Sequence, residues 1–282
     1  MEKYFIVAVN SFETKVVVDV LERNNKNYAW FIDRHGVLDD FAIKEIKENK
    51  GYEEIILVNF KPENMEEWDN FMDGDPYRIV AYENKENKKD EETLIEKVKN
   101  IIEEDILTDF QEIVSLGARD YISGMSLMAR ELGYSEKQKE KVIKNILKGK
   151  ALYRGVSKKA WADAEKAAKN QKWREIRGVH FIAVDYDYDD YTPVVDLVSG
   201  QYHDLLIQNK KDNRGVFITA DDDLVRIIQE VVDGDCWTSR PEKKGRRYRI
   251  LLDTLEGVEE AVIRYLHTRI DRKSTRLNSS HW

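Results

Sequence analysis

Asp221, Asp222 and Asp223 stand between a short apolar run, Val216 to Ile218, and Leu224, Ile227, Ile228 and Val231 at i, i+3, i+4 and i+7. The pattern predicts a buried strand, an acidic turn and an amphipathic helix closed by Gly234. A second acidic stretch, DYDYDDY, supplies Asp185, Asp187, Asp189 and Asp190. Two carboxylate-rich turns at strand ends offer the oxygen donors that magnesium or manganese takes. The competing reading is local: aspartates cap a helix N-terminus and complement its dipole. As a solvated rim they need no ligand at all.

A basic stretch follows. Residues 233–249 hold Arg240, Lys243, Lys244, Arg246, Arg247 and Arg249 against Asp233, Asp235 and Glu242, a net of +3. Trp237 and Tyr248 can stack on bases, and the arginine forks can grip phosphate. Arg240, Lys243, Arg246, Arg247 and Trp237 are therefore the candidate substrate-binding set, for a nucleotide or single-stranded nucleic acid. A solvated hairpin with scattered charge is the alternative. His35, His180, His203, His267 and His281 show no pair at metal-ligand spacing, so zinc is not expected. His35 reads as a surface turn residue, and Cys236 has no histidine near it in sequence to make it a nucleophile. Glycine-rich phosphate fingerprints are absent.

These side chains need elements to position them, and the sequence predicts an alternating series. Tyr4–Val9, Tyr28–Ile32, Ile55–Phe60 and Arg78–Tyr82 read as strands. Between them, helices are expected from Ser11 through Leu21, over Leu38–Lys50 and over Pro62–Met72. This spacing implies parallel βαβ units. After a charge run, Glu83–Glu92, the pattern is helical to about Trp173. His180–Val184, Leu205–Gln208, Val216–Ile218 and Arg247–Leu252 then read as strands, with a terminal helix around Ala261 and Tyr265. The fold class is thus α/β. A parallel-sheet lobe is expected over 1–90, a helical connector over 91–177 and a smaller mixed α/β lobe over 178–270.

Composition fits this: 41% of the 282 residues are hydrophobic and 35% charged, enough of each for a real core and a solvated surface. The single cysteine excludes an internal disulfide, and a cytoplasmic, reducing setting is the expectation. No apolar run approaches the roughly 20 residues that span a bilayer. Residues 271–282 contain DRKSTRLNSSH, which resembles a translated sequencing adapter, and are expected to be foreign to the fold. That tail carries +2, leaving −10 for the rest of a chain whose net charge is −8. So acidic a body disfavours a broad nucleic-acid surface but permits a local basic groove.

The layout resembles the DHH phosphoesterase superfamily, the RecJ-like and oligoribonuclease-like enzymes with their DHHA1 lobe, over nearly all of residues 1–270. GARDYISGM, from Gly117 to Met125, resembles the helical segment that carries a late metal-binding aspartate, here Asp120. HDLLIQNKKDNRGVFITADDDLVRIIQE resembles the strand–turn–strand–helix of the DHHA1 lobe. The resemblance implies metal-assisted phosphodiester hydrolysis with manganese or magnesium. Carried over by position, the catalytic set is Glu13, Asn59, Glu83 and Asp120, with Glu13, Glu83 and Asp120 as metal ligands. The signature itself departs from the family. Asn10, Ser11, Phe12, Glu13 and Thr14 replace the His-x-Asp-x-Asp cluster, Asn59 replaces an aspartate, and Glu83, Asn84 and Lys85 replace Asp-His-His. A site so depleted of anions leaves two readings, an active phosphodiesterase or a degenerate, non-catalytic binding or scaffolding subunit. VFITADDDLVRII also resembles the strand–turn–helix of PIN-like nucleases, which would make Asp221 and Asp223 metal ligands.

Overall fold

The computed structural model describes residues 2–32, 44–45, 47–49, 51–60, 77–81, 92–103, 107–176, 179–198, 204–219, 221–231, 237–238 and 248–252, with 255, 257, 260–261 and 264–265 near the end. The chain divides into two compact units, Met1–Tyr153 and Arg154–Trp282. Both are α/β, the first built on a parallel sheet and the second on a mixed one.

In the first unit, β1 (Lys3–Val9), β2 (Asn27–Ile32), β3 (Glu54–Val58) and β4 (Tyr77–Val80) form a sheet of order β2-β1-β3-β4. Every pairing is parallel. β1 and β3 are central and buried almost throughout, which is why both read as unbroken apolar runs. Tyr4, Ile6, Ala8, Phe31, Ile55, Leu57 and Phe60 make one core cluster. Phe5, Val7 and Val9 alternate to the other face, where α1 (Phe12–Arg23) packs on β1. Three consecutive valines in α1 are poor helix formers, but Val16, Val17, Val20 and Leu21 are all buried. Burial outweighs propensity there, and a capping box between Ser11 and Thr14 fixes the start. Of the segment expected to be helical over 38–50, residues 44–45 and 47–48 are helical; the helix expected over 62–72 lies outside the described residues.

Among the described residues this unit also holds α2 (Leu94–Ile102), α3 (Asp109–Glu131) and α4 (Glu136–Tyr153). α3 is broken at Tyr121, whose φ of 54° and ψ of −133° are not helical. The chain folds back there. A Cβ on Gly124 would lie 2.4 Å from the Leu116 carbonyl oxygen, and one on Gly117 would lie 2.4 Å from Met125 Cγ. In an unbroken helix, residues 116 and 124 would be about 12 Å apart. GARDYISGM is thus a tight corner that two glycines permit.

In the second unit, α5 (Lys158–Lys169) is capped by Ser157 and buries Trp161. Then come β5 (Lys172–Ile176), β6 (Val179–Asp185), α6 (Thr192–Val198), β7 (Leu205–Asn209), β8 (Arg214–Thr219), α7 (Asp222–Val231), β9 (Trp237–Thr238) and β10 (Tyr248–Leu252). The sheet order is β5-β6-β7-β8-β10-β9; among the described pairings β6 with β7 is parallel and the rest are antiparallel. One face gathers Ile182, Val184, Leu205, Ile207, Val216 and Ile218 with residues of α5 and α6. The other gathers Phe181, Ala183, Leu206, Phe217, Ile250 and Leu252 with α7, Ala261 and Tyr265. The helical stretch read from sequence divides between the units, α2 to α4 in the first and α5 in the second. The sequence pattern did not predict β5, α6 or the two-residue β9. Among the described residues, no helix is long and apolar enough to cross a membrane.

The corner at Tyr121 generates a stability prediction. Gly124→Ala forces a methyl against backbone and should cost about 2–3 kcal/mol in urea unfolding. Gly51→Ala, with nothing within 4 Å of its Cβ position, should stay within about 0.5 kcal/mol of wild type. Equal transitions for the two variants would mean the chain does not fold back at Tyr121.

Candidate functional site

In the first sheet the chain passes from β1 to β2 on one side and then crosses to β3 and β4 on the other, so a crevice is expected where β1 and β3 end. Asn59 sits there, immediately after β3, in the left-handed region with φ 65°. Asparagine tolerates that conformation better than most residues. Its backbone N–H donates to the Val80 carbonyl at 2.6 Å, and its side-chain Nδ2 donates to the Ala8 carbonyl at 3.0 Å. One residue therefore ties the ends of β1, β3 and β4 together. An ionised aspartate could not donate to Ala8.

Glu13, in the first turn of α1, is 7% exposed. Its Oε1 accepts the Leu94 N–H at 2.9 Å, placing a carboxylate on the N-terminus of α2. Thr93 caps the same helix, with its backbone N–H bonded to Glu96 at 2.8 Å and its hydroxyl 2.5 Å from the Ser115 hydroxyl. Asp120 is half-buried beside the corner, 3.3 Å from Arg119 Nε. Glu83 and Lys85 lie outside the described residues. Among the described residues, no group of three or more His, Cys, Asp or Glu side chains is placed to hold a metal ion. Glu13 and Asn59, the two described positions beside the first sheet, both enter buried hydrogen bonds of the fold. Glu13 anchors a helix, and Asn59 donates to a carbonyl.

The acidic turn of the second unit is also built from local bonds. Asp221 Oδ1 accepts from the backbone N–H of Asp223 at 3.0 Å and of Leu224 at 3.1 Å, so Asp221 is the N-cap of α7. Its Oδ2 accepts the Tyr265 hydroxyl. Asp223 lies 3.8 Å from Arg226. Asp185 pairs with Lys210 at 2.8 Å, and Asp190 accepts the Thr192 N–H at 2.9 Å. The neighbouring phenols feel this charge. The hydrogen bond to Asp163 pushes the Tyr188 hydroxyl up, with burial adding to it, while burial raises Tyr191 first and Asp189 second.

Of the predicted basic set, Arg240, Lys243, Arg246 and Arg247 lie outside the described residues, as do His35, His203, Cys236, His267 and the tail 271–282. Trp237 belongs to β9, paired with Leu251 of β10. A different basic surface is visible instead. A trench of about 920 Å³ in the second unit is lined by Lys159 and Lys166 of α5, Lys172 and Arg174 of β5, and Lys211 of the β7–β8 turn. Asp163, Asp185 and Asp187 also line it. The signal was present in the sequence as Lys159, Asp163 and Lys166 at i, i+4 and i+7, and as Lys172 and Arg174 two apart. The apolar stripe of Trp161, Ala164 and Ala168 on the same helix masks it.

No family model matches the chain, and no curated protein matches it. Among solved structures, it is similar to a Methanococcus jannaschii chain provisionally described as a family II inorganic pyrophosphatase. The identity is 11% and the TM-score 0.27, over 92% of this chain and 99% of that one. It is also similar to ureidoglycine-glyoxylate aminotransferase from Bacillus subtilis, at 12% identity and TM-score 0.25, over 94% of this chain and 74% of that one. Likenesses this loose carry no argument about chemistry.

Glu13 supplies the test of this geometry. Glu13→Ala strands the buried Leu94 N–H and should cost about 2 kcal/mol, whereas Glu13→Gln keeps an acceptor and should cost about 1 kcal/mol or less. Manganese should leave the thermal midpoint of the wild type unchanged. A manganese-induced rise present in wild type and lost in Glu13→Gln would restore Glu13 as a metal ligand.

Proposed function

We propose that this chain binds phosphorylated ligands, nucleotides or single-stranded nucleic acid, as a non-hydrolytic relative of DHH-type phosphoesterases. The observation that carries the reading is the use of Glu13 and Asn59. At the strand ends where the family resemblance would put metal ligands, these side chains make buried structural hydrogen bonds to Leu94 and Ala8. Two-metal hydrolysis needs several anionic ligands to hold the cations and to activate water. A neutral amide that donates to a carbonyl supplies neither. What a ligand with phosphates needs is local positive charge, because the chain as a whole carries −8. The second unit provides such a surface.

Incubating the protein with manganese, and separately with magnesium, on a dinucleotide and on single-stranded DNA tests the reading. The expected result is no turnover above background, together with oligonucleotide binding that weakens as salt rises. Metal-dependent turnover abolished by Glu83→Ala would instead mark a working DHH-type site. Turnover abolished by Asp221→Ala and retained in Glu83→Ala would mark a PIN-like one.

A further inference from the structure

Five cations converge on the trench of the second unit, from a helix face, an edge strand and a hairpin turn. None of Lys159, Lys166, Lys172, Arg174 and Lys211 makes an ion pair among the described residues. Of the three carboxylates present, Asp163 accepts the Tyr188 hydroxyl at 2.6 Å and Asp185 pairs with Lys210, which itself adds positive charge. The local field is therefore positive within an acidic chain. Charge on β5 has one ordinary use, since lysine and arginine on an edge strand discourage edge-to-edge pairing. That accounts for Lys172 and Arg174. It does not account for Lys159 and Lys166 on α5 or Lys211 at the turn, which face the same concavity.

The spacing of these cations bears on the ligand. Lys159 and Lys166 are seven residues apart on one helix face, about 10 Å. Lys172 and Arg174 are two apart on one strand face, roughly 6.6 Å. A single phosphate would reach only part of such a row, while linked phosphates would engage it along its length. Lysine serves here as a point charge and the Arg174 fork as a bidentate partner.

We infer that this trench is the binding site for a run of linked phosphates, as carried by a single-stranded oligonucleotide. The inference rests on the proposed phosphate-binding function and names the site within it. It places binding on side chains distinct from Arg240, Lys243, Arg246 and Arg247.

The test is fluorescence anisotropy with a labelled single-stranded DNA of about 12 nucleotides, on the whole chain, across a salt series. Three proteins are compared: wild type, Lys166→Ala/Lys172→Ala/Arg174→Ala, and a control, Lys137→Ala/Lys141→Ala/Lys148→Ala, on exposed positions of α4. Thermal transitions check that all three fold. If about four phosphates are engaged, the wild-type log–log salt slope is about −3, and the trench variant flattens it by about 2. The trench variant should bind at least tenfold more weakly, and the control should match wild type. Competition by inorganic tripolyphosphate would show that the phosphate chain alone suffices, in support. A trench variant that binds like wild type, or a control that loses as much, overturns the site while leaving phosphate binding intact. A wild type that binds neither anion overturns the proposed function itself, and the site with it.

Discussion

A single asparagine governs the carboxyl end of the first sheet. Asn59 adopts a left-handed backbone, sends its N–H to the Val80 carbonyl and its amide to the Ala8 carbonyl. Each bond satisfies a carbonyl at a strand end, where the ladder runs out of partners. Removing one such bond inside a buried site costs about 1–3 kcal/mol, because the abandoned group is also cut off from water. Two strands on either side of a topological crossover are thereby fixed to each other by a donor, at a place where open α/β sheets keep a ligand crevice. Glu13 makes a parallel commitment next door by docking on the α2 N-terminus. The chemistry available at this end of the sheet follows from those two bonds more than from the fold class.

The second unit divides its charges differently. Several of its carboxylates are drawn into caps and pairs: Asp221 caps α7 and holds Tyr265, Asp190 bonds the start of α6, and Asp185 pairs with Lys210. Its trench cations are not. Five cations against three carboxylates, one of them paired with Lys210, leave the trench locally positive even in a chain of net charge −8. Positive potential in this protein is therefore a property of a place and not of composition.

How much of this the sequence disclosed depended on whether the signal was periodic. The central strands β1 and β3 were legible because burial on both faces leaves unbroken apolar runs such as Phe5 to Val9. α7 was legible from Leu224, Ile227 and Ile228 together with its aspartate cap. β5 was hidden because KWREI, an edge strand, carries three charges in five residues with no apolar alternation, and it follows a helix without a break in polarity. The role of Asn59 was hidden as well. Comparison with the DHH pattern marked it as a missing aspartate, whereas its partners are carbonyls supplied by two other strands. Long-range hydrogen bonding of that kind leaves no local trace. The capping reading of Asp221 was present in the sequence, beside a metal reading that uses the same residues.

The most direct measurement replaces Asn59 by the aspartate that a metal site would use. With a carboxylate facing the Ala8 carbonyl and no donor to offer, Asn59→Asp should lose about 2–3 kcal/mol of stability in urea, in the presence or absence of manganese. It should also gain no hydrolysis of a dinucleotide. A variant that keeps wild-type stability and is further stabilised by manganese, or that begins to turn over substrate, would contradict the claim that this end of the sheet is built on hydrogen bonding instead of metal binding.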